Sequence, residues 1–98
     1  VLTKSAKADS VATTFSGRAL LHARAGRLDE AVADAERALA LDAEAPYYAY
    51  AARGLARLRQ GKRDAARGDF AEFERRAAAR DPLRPEVARW SEEARGGR

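Results

Sequence analysis

A chain of 98 residues suits a single domain, and one this short can bury only about 60 to 70 per cent of the surface its unfolded form exposes, so its core must be thin. Its 25 alanines, absent isoleucine and small stock of leucine and valine favour helices over strands, with Phe15, Tyr47, Tyr48, Tyr50, Phe70, Phe73 and Trp90 as the whole aromatic supply. The lack of cysteine excludes disulfides, thiolate nucleophiles and thiolate metal ligands, and no apolar run approaches the roughly 20 residues needed to span a bilayer.

The formal net charge of +4 is unevenly placed: residues 1–45 carry 6 basic and 7 acidic groups, residues 46–98 carry 13 and 8. Sixteen of the 19 cations are arginine, a bias that together with the alanines is what a GC-rich genome produces without selection for function. The cluster Arg53, Arg57, Arg59, Lys62, Arg63 and Arg67, broken only by Asp64, is the alternative: a basic surface for nucleic acid or an acidic partner. No signal-peptide pattern opens the chain, so a soluble protein is expected, with a cytoplasmic location slightly favoured. A start at Val1 rather than methionine leads us to expect a piece of something longer.

In chain order, residues 1–10 (VLTKSAKADS) show no periodic apolar stripe and are expected to be a tail or the end of an upstream element. A helix over 11–25 should end at Gly26, which accepts the left-handed conformation that closes a helix, and a second over 28–41 carries Asp29 in its first turn, against the exposed amide dipoles. Pro46 marks a break. The same plan follows over 47–60, closed by Gly61, and over 63–80, with Asp64 in the first turn and Pro82 as the next break. A last helix over 85–95 begins with proline at its first position and aligns Val87, Trp90 and Ala94 on one face, which should cover the exposed end of the preceding pair; 96–98 is a tail.

An internal repeat organises these elements. Sliding the sequence by 35 places pairs Arg18 with Arg53, Leu20 with Leu55, Arg24 with Arg59, Gly26 with Gly61, Asp29 with Asp64, Ala31 with Ala66 and Asp34 with Asp69, seven identities in a 17-residue window, and sets Phe15 against Tyr50. Arg18 and Asp34 stand 16 apart, as do Arg53 and Asp69, a spacing that lets an antiparallel hairpin bring each pair face to face as a structural ion pair. Such pairs specify register more than they add stability, because desolvation offsets much of the attraction.

The segments RALLHARAGRLDEAVADAERALALD and RGLARLRQGKRDAARGDF resemble the tetratricopeptide repeat (TPR), a paired-helix unit of about 34 residues with small residues where its helices cross. Ala19 and Gly54 match its small residue in the first helix, Gly26 and Gly61 its turn glycine, Ala31 and Ala66 its alanine after the turn, and Ala38 with Leu39 its small and apolar pair late in the second helix. The departures are Ala43 and Ala78 in place of proline, His22 and Arg57 in place of tyrosine, and Phe73 in place of alanine, which make the second copy the degenerate one. The resemblance implies an all-α architecture of antiparallel helix-turn-helix repeats, a TPR-like α-solenoid of about five helices: repeat 1 over 11–45, repeat 2 over 46–82 and a capping helix over 83–95.

What the family resemblance further implies is a concave groove lined by the first helix of each unit. Here that is Thr13, Ser16, Leu20, Ala23 and Arg24, then Tyr48, Ala51, Leu55, Leu58 and Arg59. Leu20, Leu55 and Leu58 would be its apolar floor and Tyr48 a candidate hot spot for a peptide or partner helix. Arg24 and Arg59, in the last turns of their helices, are equally placed to cap free carbonyls. The family's carboxylate grip is missing, since its positions hold Ser16, Leu20, Ala51 and Leu55. His22 should be a packed, hydrogen-bonded imidazole, and Glu92 and Glu93, being adjacent, point apart. The expected function is therefore non-catalytic protein–protein interaction, without cofactor or metal. A homo-oligomerisation module is the alternative, because two repeats are fewer than the three or so that usually stack stably; nucleic acid is a lesser one, because Arg53 and Arg57 fall on the packed side.

Overall fold

The computed structural model describes residues 6–41 and 47–96. Among them the chain is all-helical, with five helices and no strand: α1 (Ala6–Ala25), α2 (Leu28–Leu41), α3 (Tyr48–Arg59), α4 (Arg63–Arg76) and α5 (Arg84–Ala94). Helix α3 is the centre of the molecule, packing on all four others, while α1 rests on α2 and α3, and α5 on α4 and α3. Residues 1–5, Ala43, Pro46 and the last two positions of the expected tail lie outside the described residues.

Both hairpin turns are built alike, and glycine is the reason. Gly26 and Gly61 sit at φ of 87° and 83°, where a Cβ is strained. Around the first, the Gly26 amide donates to the Ala23 carbonyl at 3.2 Å and the Arg27 amide to the His22 carbonyl at 2.9 Å. Around the second, Gly61 donates to Leu58 at 3.1 Å and Lys62 to Arg57 at 2.8 Å. This is the two-bond Schellman closure, which satisfies carbonyls that the helix end leaves open.

The core is divided by residue size. Between the first hairpin and α3 it is alanine: Ala19, Ala35, Ala38, Ala49 and Ala52 are fully buried against one another. Around α4 and α5 it is aromatic and aliphatic, with Phe70, Phe73 and Val87 enclosed. The change follows from exchanges at equivalent positions. Ala19 becomes Gly54 while Ala35 becomes Phe70, and a Cβ built on Gly54 would lie 2.5 Å from Phe70 Cε1, so the absent methyl makes the space that the ring fills. Phe73, the residue that departs from the family pattern, is a main support of the second half.

Helix α3 is one residue shorter at each end than the sequence reading, and larger differences fall on α1 and α4. Helix α1 starts at Ala6 rather than at position 11, because alanine sustains a helix where no apolar stripe exists to reveal it. Helix α4 ends at Arg76, short of position 80, so it is as long as α2 and not the extended copy expected. At Ala77 the backbone turns extended, with φ −71° and ψ 147°, although Ala77, Ala78 and Ala79 are strong helix formers. The stop is imposed from outside: the Arg84 guanidinium donates to the carbonyls of Glu74, Ala77 and Ala78 at 2.8, 2.7 and 2.7 Å. Helix α5 begins one residue before its proline, at Arg84, and ends at Ala94.

Candidate functional site

The two long-range ion pairs read from the 16-residue spacing have the following geometry. Arg18 holds Asp34 through Nε and Nη2 at 2.8 and 3.0 Å, and Arg53 holds Asp69 through Nη2 at 3.0 Å with Nε at 3.2 Å. Both aspartates are buried. Hydrogen bonds from Arg18 hold the Asp34 carboxyl below its ordinary range, against the opposing effect of burial. Asp69 also accepts from Arg57 Nη1 at 3.0 Å, a bond the sequence reading did not include.

His22 takes the position of Arg57 in the first copy. Its Nε2 lies 3.5 Å from Asp34 Oδ2, but its Nδ1 is buried without a hydrogen-bond partner, so the ring is packed yet less bonded than expected.

The inner face of α1 and α3 is not the open groove that the family resemblance implies. Ser16 is buried and turns its hydroxyl back on its own helix, donating to the Thr13 carbonyl at 2.9 Å. Leu55 and Leu58 are buried in clusters against which Trp90 of α5 packs, and Leu20 is half-buried between two core clusters. The Trp90 ring packs on Phe70 with centroids 6.2 Å apart, and the Arg24 guanidinium lies 5.9 Å from it. On one side of Trp90, Arg24 Nη2 donates to Glu86 Oε1 at 2.6 Å; on the other, Arg59 Nη1 donates to Glu93 Oε2 at 2.9 Å. Arg24 and Arg59 therefore grip α5, where the sequence left capping and partner binding equally open. Glu92, as expected, points elsewhere, to Arg95.

Tyr48 is likewise committed within the fold. Its hydroxyl donates to Asp81 Oδ1 at 3.0 Å, and the Tyr47 hydroxyl to Asp81 Oδ2 at 2.8 Å, while the Leu83 amide adds a third bond at 2.9 Å. Burial pushes the Asp81 carboxyl up, but these bonds and Arg84 outweigh it and leave it lowered. The tyrosine hydroxyls move the other way: hydrogen bonding to Asp81 raises Tyr47, with burial adding to it, and burial foremost raises Tyr48.

Asp81, Arg84, Glu86 and Glu93 carry much of this geometry, and the sequence reading gave none of the four a contact role, naming only Glu93 as a carboxylate that points away from Glu92. A signal for two of them was present: Glu86, Trp90 and Glu93 fall at successive spacings of four and three, one face of a helix, matching the recurrence of Arg24 at Arg59. The basic cluster, by contrast, is largely neutralised. Arg53 and Arg57 pair with Asp69 and face Glu36 at 3.6 and 3.8 Å, Arg59 with Glu93, and Arg67 with Asp64 at 3.2 Å. A cleft of about 330 Å³ between α2 and α3 is lined by Asp29, Val32, Glu36, Arg57 and Gln60, and its polar groups already face one another. Among the described residues no three His, Asp or Glu side chains cluster as a metal site, and no helix is long and apolar enough to cross a membrane. No family model, curated protein or solved structure matches the chain.

Proposed function

We propose that the chain is a non-catalytic interaction module of tetratricopeptide-like design, whose inner face receives an amphipathic helix with two glutamates flanking an aromatic anchor, and that α5 occupies this face in cis. The observation that carries this reading is the pair of contacts Arg24 to Glu86 and Arg59 to Glu93 flanking Trp90. Two arginines 35 residues apart in the repeat meet two glutamates seven apart on one helix face, a match of helical period to repeat period. The repeat design is supported by the equivalent glycine turns and the equivalent Arg–Asp pairs. Recognition of a helix by alternating anchors and flanking charge is a recurring peptide-binding mode, with the aromatic side chain as hot spot.

The test uses Trp90 as both anchor and reporter, because it is the only tryptophan. A Trp90→Ala chain is dark at tryptophan wavelengths and retains an inner face from which α5 is loosened. A peptide of residues 83–96 added to it is expected to bind, with its own tryptophan emission shifting to the blue and the melting temperature of the variant rising. Wild-type chain, its face filled, should bind the peptide far more weakly. Should loss of Trp90 unfold the protein, a Glu86→Ala/Glu93→Ala chain, with binding read by the anisotropy of a dye-labelled peptide, provides a second test. A folded, loosened chain that ignores the peptide would overturn the proposal.

A further inference from the structure

The outer face of α1 can be compared residue by residue with its counterpart on α3. On α3, Ala49, Ala52 and Ala56 are fully buried, Arg53 and Arg57 approach Glu36 of α2 at 3.6 and 3.8 Å, and Gln60 Nε2 donates to Asp29 of α2 at 3.2 Å. Thirty-five residues earlier, α1 presents Thr14, Gly17 and Leu21, then Arg18, His22 and Ala25. Thr14, Gly17 and Ala25 are exposed, and Leu21 is 69 % exposed where its equivalent Ala56 is 0 %. The Arg18 side chain is 51 % exposed against 19 % for Arg53. The face that α3 buries against α2 therefore stands uncovered on α1.

The arginines define what the occupant carries. Arg53 holds its own hairpin's Asp69 through Nε and Nη2 and turns Nη1 to Glu36 of the neighbouring helix. Arg18 holds Asp34 through the same two nitrogens, which leaves Nη1 for a second carboxylate. We infer that this face of α1 is a docking site for a partner helix that sets small residues against Thr14, Gly17 and Leu21 and places a carboxylate against Arg18, as α2 does for α3. The occupant is an acidic helix rather than a second copy of the chain. A two-fold pairing of copies through this face would set Thr14, Gly17, Arg18, Leu21, His22 and Ala25 against the same set, which holds no carboxylate for Arg18, and the opposite end of the molecule is closed by α5 on α4. The site rests on the exposure of Leu21 and Arg18, and neither residue takes part in the contacts that hold α5.

The test takes α2 as the ligand template. A peptide of residues 28–41, stapled between positions 30 and 37 to hold it helical, carries the α3-facing surface with Glu36. Titrated against the full chain by fluorescence anisotropy, it is expected to bind, and Leu21→Glu in the chain should weaken binding about tenfold or more. Ala88→Glu, an equal charge change on the exposed side of α5, should leave binding intact. Replacing Glu36 of the peptide by lysine should weaken it as Leu21→Glu does. Binding unaffected by Leu21→Glu, no binding at all, or light scattering that finds a dimer dispersed by Leu21→Glu would each overturn the inference.

Discussion

Adding one methyl group at Gly54 probes how the second hairpin is packed. The new Cβ would meet Phe70 Cε1 at 2.5 Å and Cδ1 at 2.7 Å, with the ring fully buried and unable to retreat. Gly54→Ala should therefore destabilise by about 1–3 kcal/mol in urea unfolding, although alanine is the better helix former. Adding Phe70→Leu to Gly54→Ala should cost less than the sum of the single changes, because the two positions share one space, as Ala19 and Ala35 do in the first hairpin. The aspartates set the acid limit. Asp34 and Asp81 have lowered folded values, so the stability they contribute is complete above the unfolded value of about 4 and is lost as pH falls through the folded ones. Tyr47 and Tyr48 have raised values, so their contribution holds below about pH 10 and is lost as pH rises through the folded ones. Urea midpoints should therefore fall below about pH 4 and above about pH 10, and tyrosinate absorbance should show Tyr47 and Tyr48 ionising late.

At the scale of the element, helix type and helix turns were legible in the sequence because their causes are local. Gly26 and Gly61 need left-handed backbone, Pro85 pre-sets a first turn, and Val87, Trp90 and Ala94 repeat with the helical period. The end of α4 was illegible for the opposite reason. Three alanines predict continuation, and the stop comes from Arg84, up to ten residues further on, and from the linkage of Asp81 to Tyr47 and Tyr48 at the start of α3. Arg84→Ala should cost about 1–2 kcal/mol, measured by chemical unfolding, as three carbonyls lose a charged donor that water only partly replaces. Arg84→Lys should restore little of it, since an ammonium lacks the planar fork that reaches several carbonyls together.

At the scale of the whole molecule, the sequence marked the residues of the inner face but not its occupant. Leu20, Leu55, Arg24 and Arg59 were identifiable by recurrence; that α5 folds back onto Leu55 and the two arginines depends on the connector after α4, whose course is set by Arg84 and Asp81. The end faces are unequal for the same reason. Helix α5 closes one end, and the other shows Leu21 and Arg18.

The most direct test of the inner face as a helix receptor is a charge exchange read in trans. The receptor is the Trp90→Ala chain with or without Arg24→Glu/Arg59→Glu, and the ligand is the 83–96 peptide with or without Glu86→Lys/Glu93→Lys. Tight binding is expected for the two matched combinations and at least about tenfold weaker binding for the two mismatched ones. Equal affinity across all four combinations would contradict the account, because Arg24 and Arg59 would then play no part in recognising the helix that lies on them.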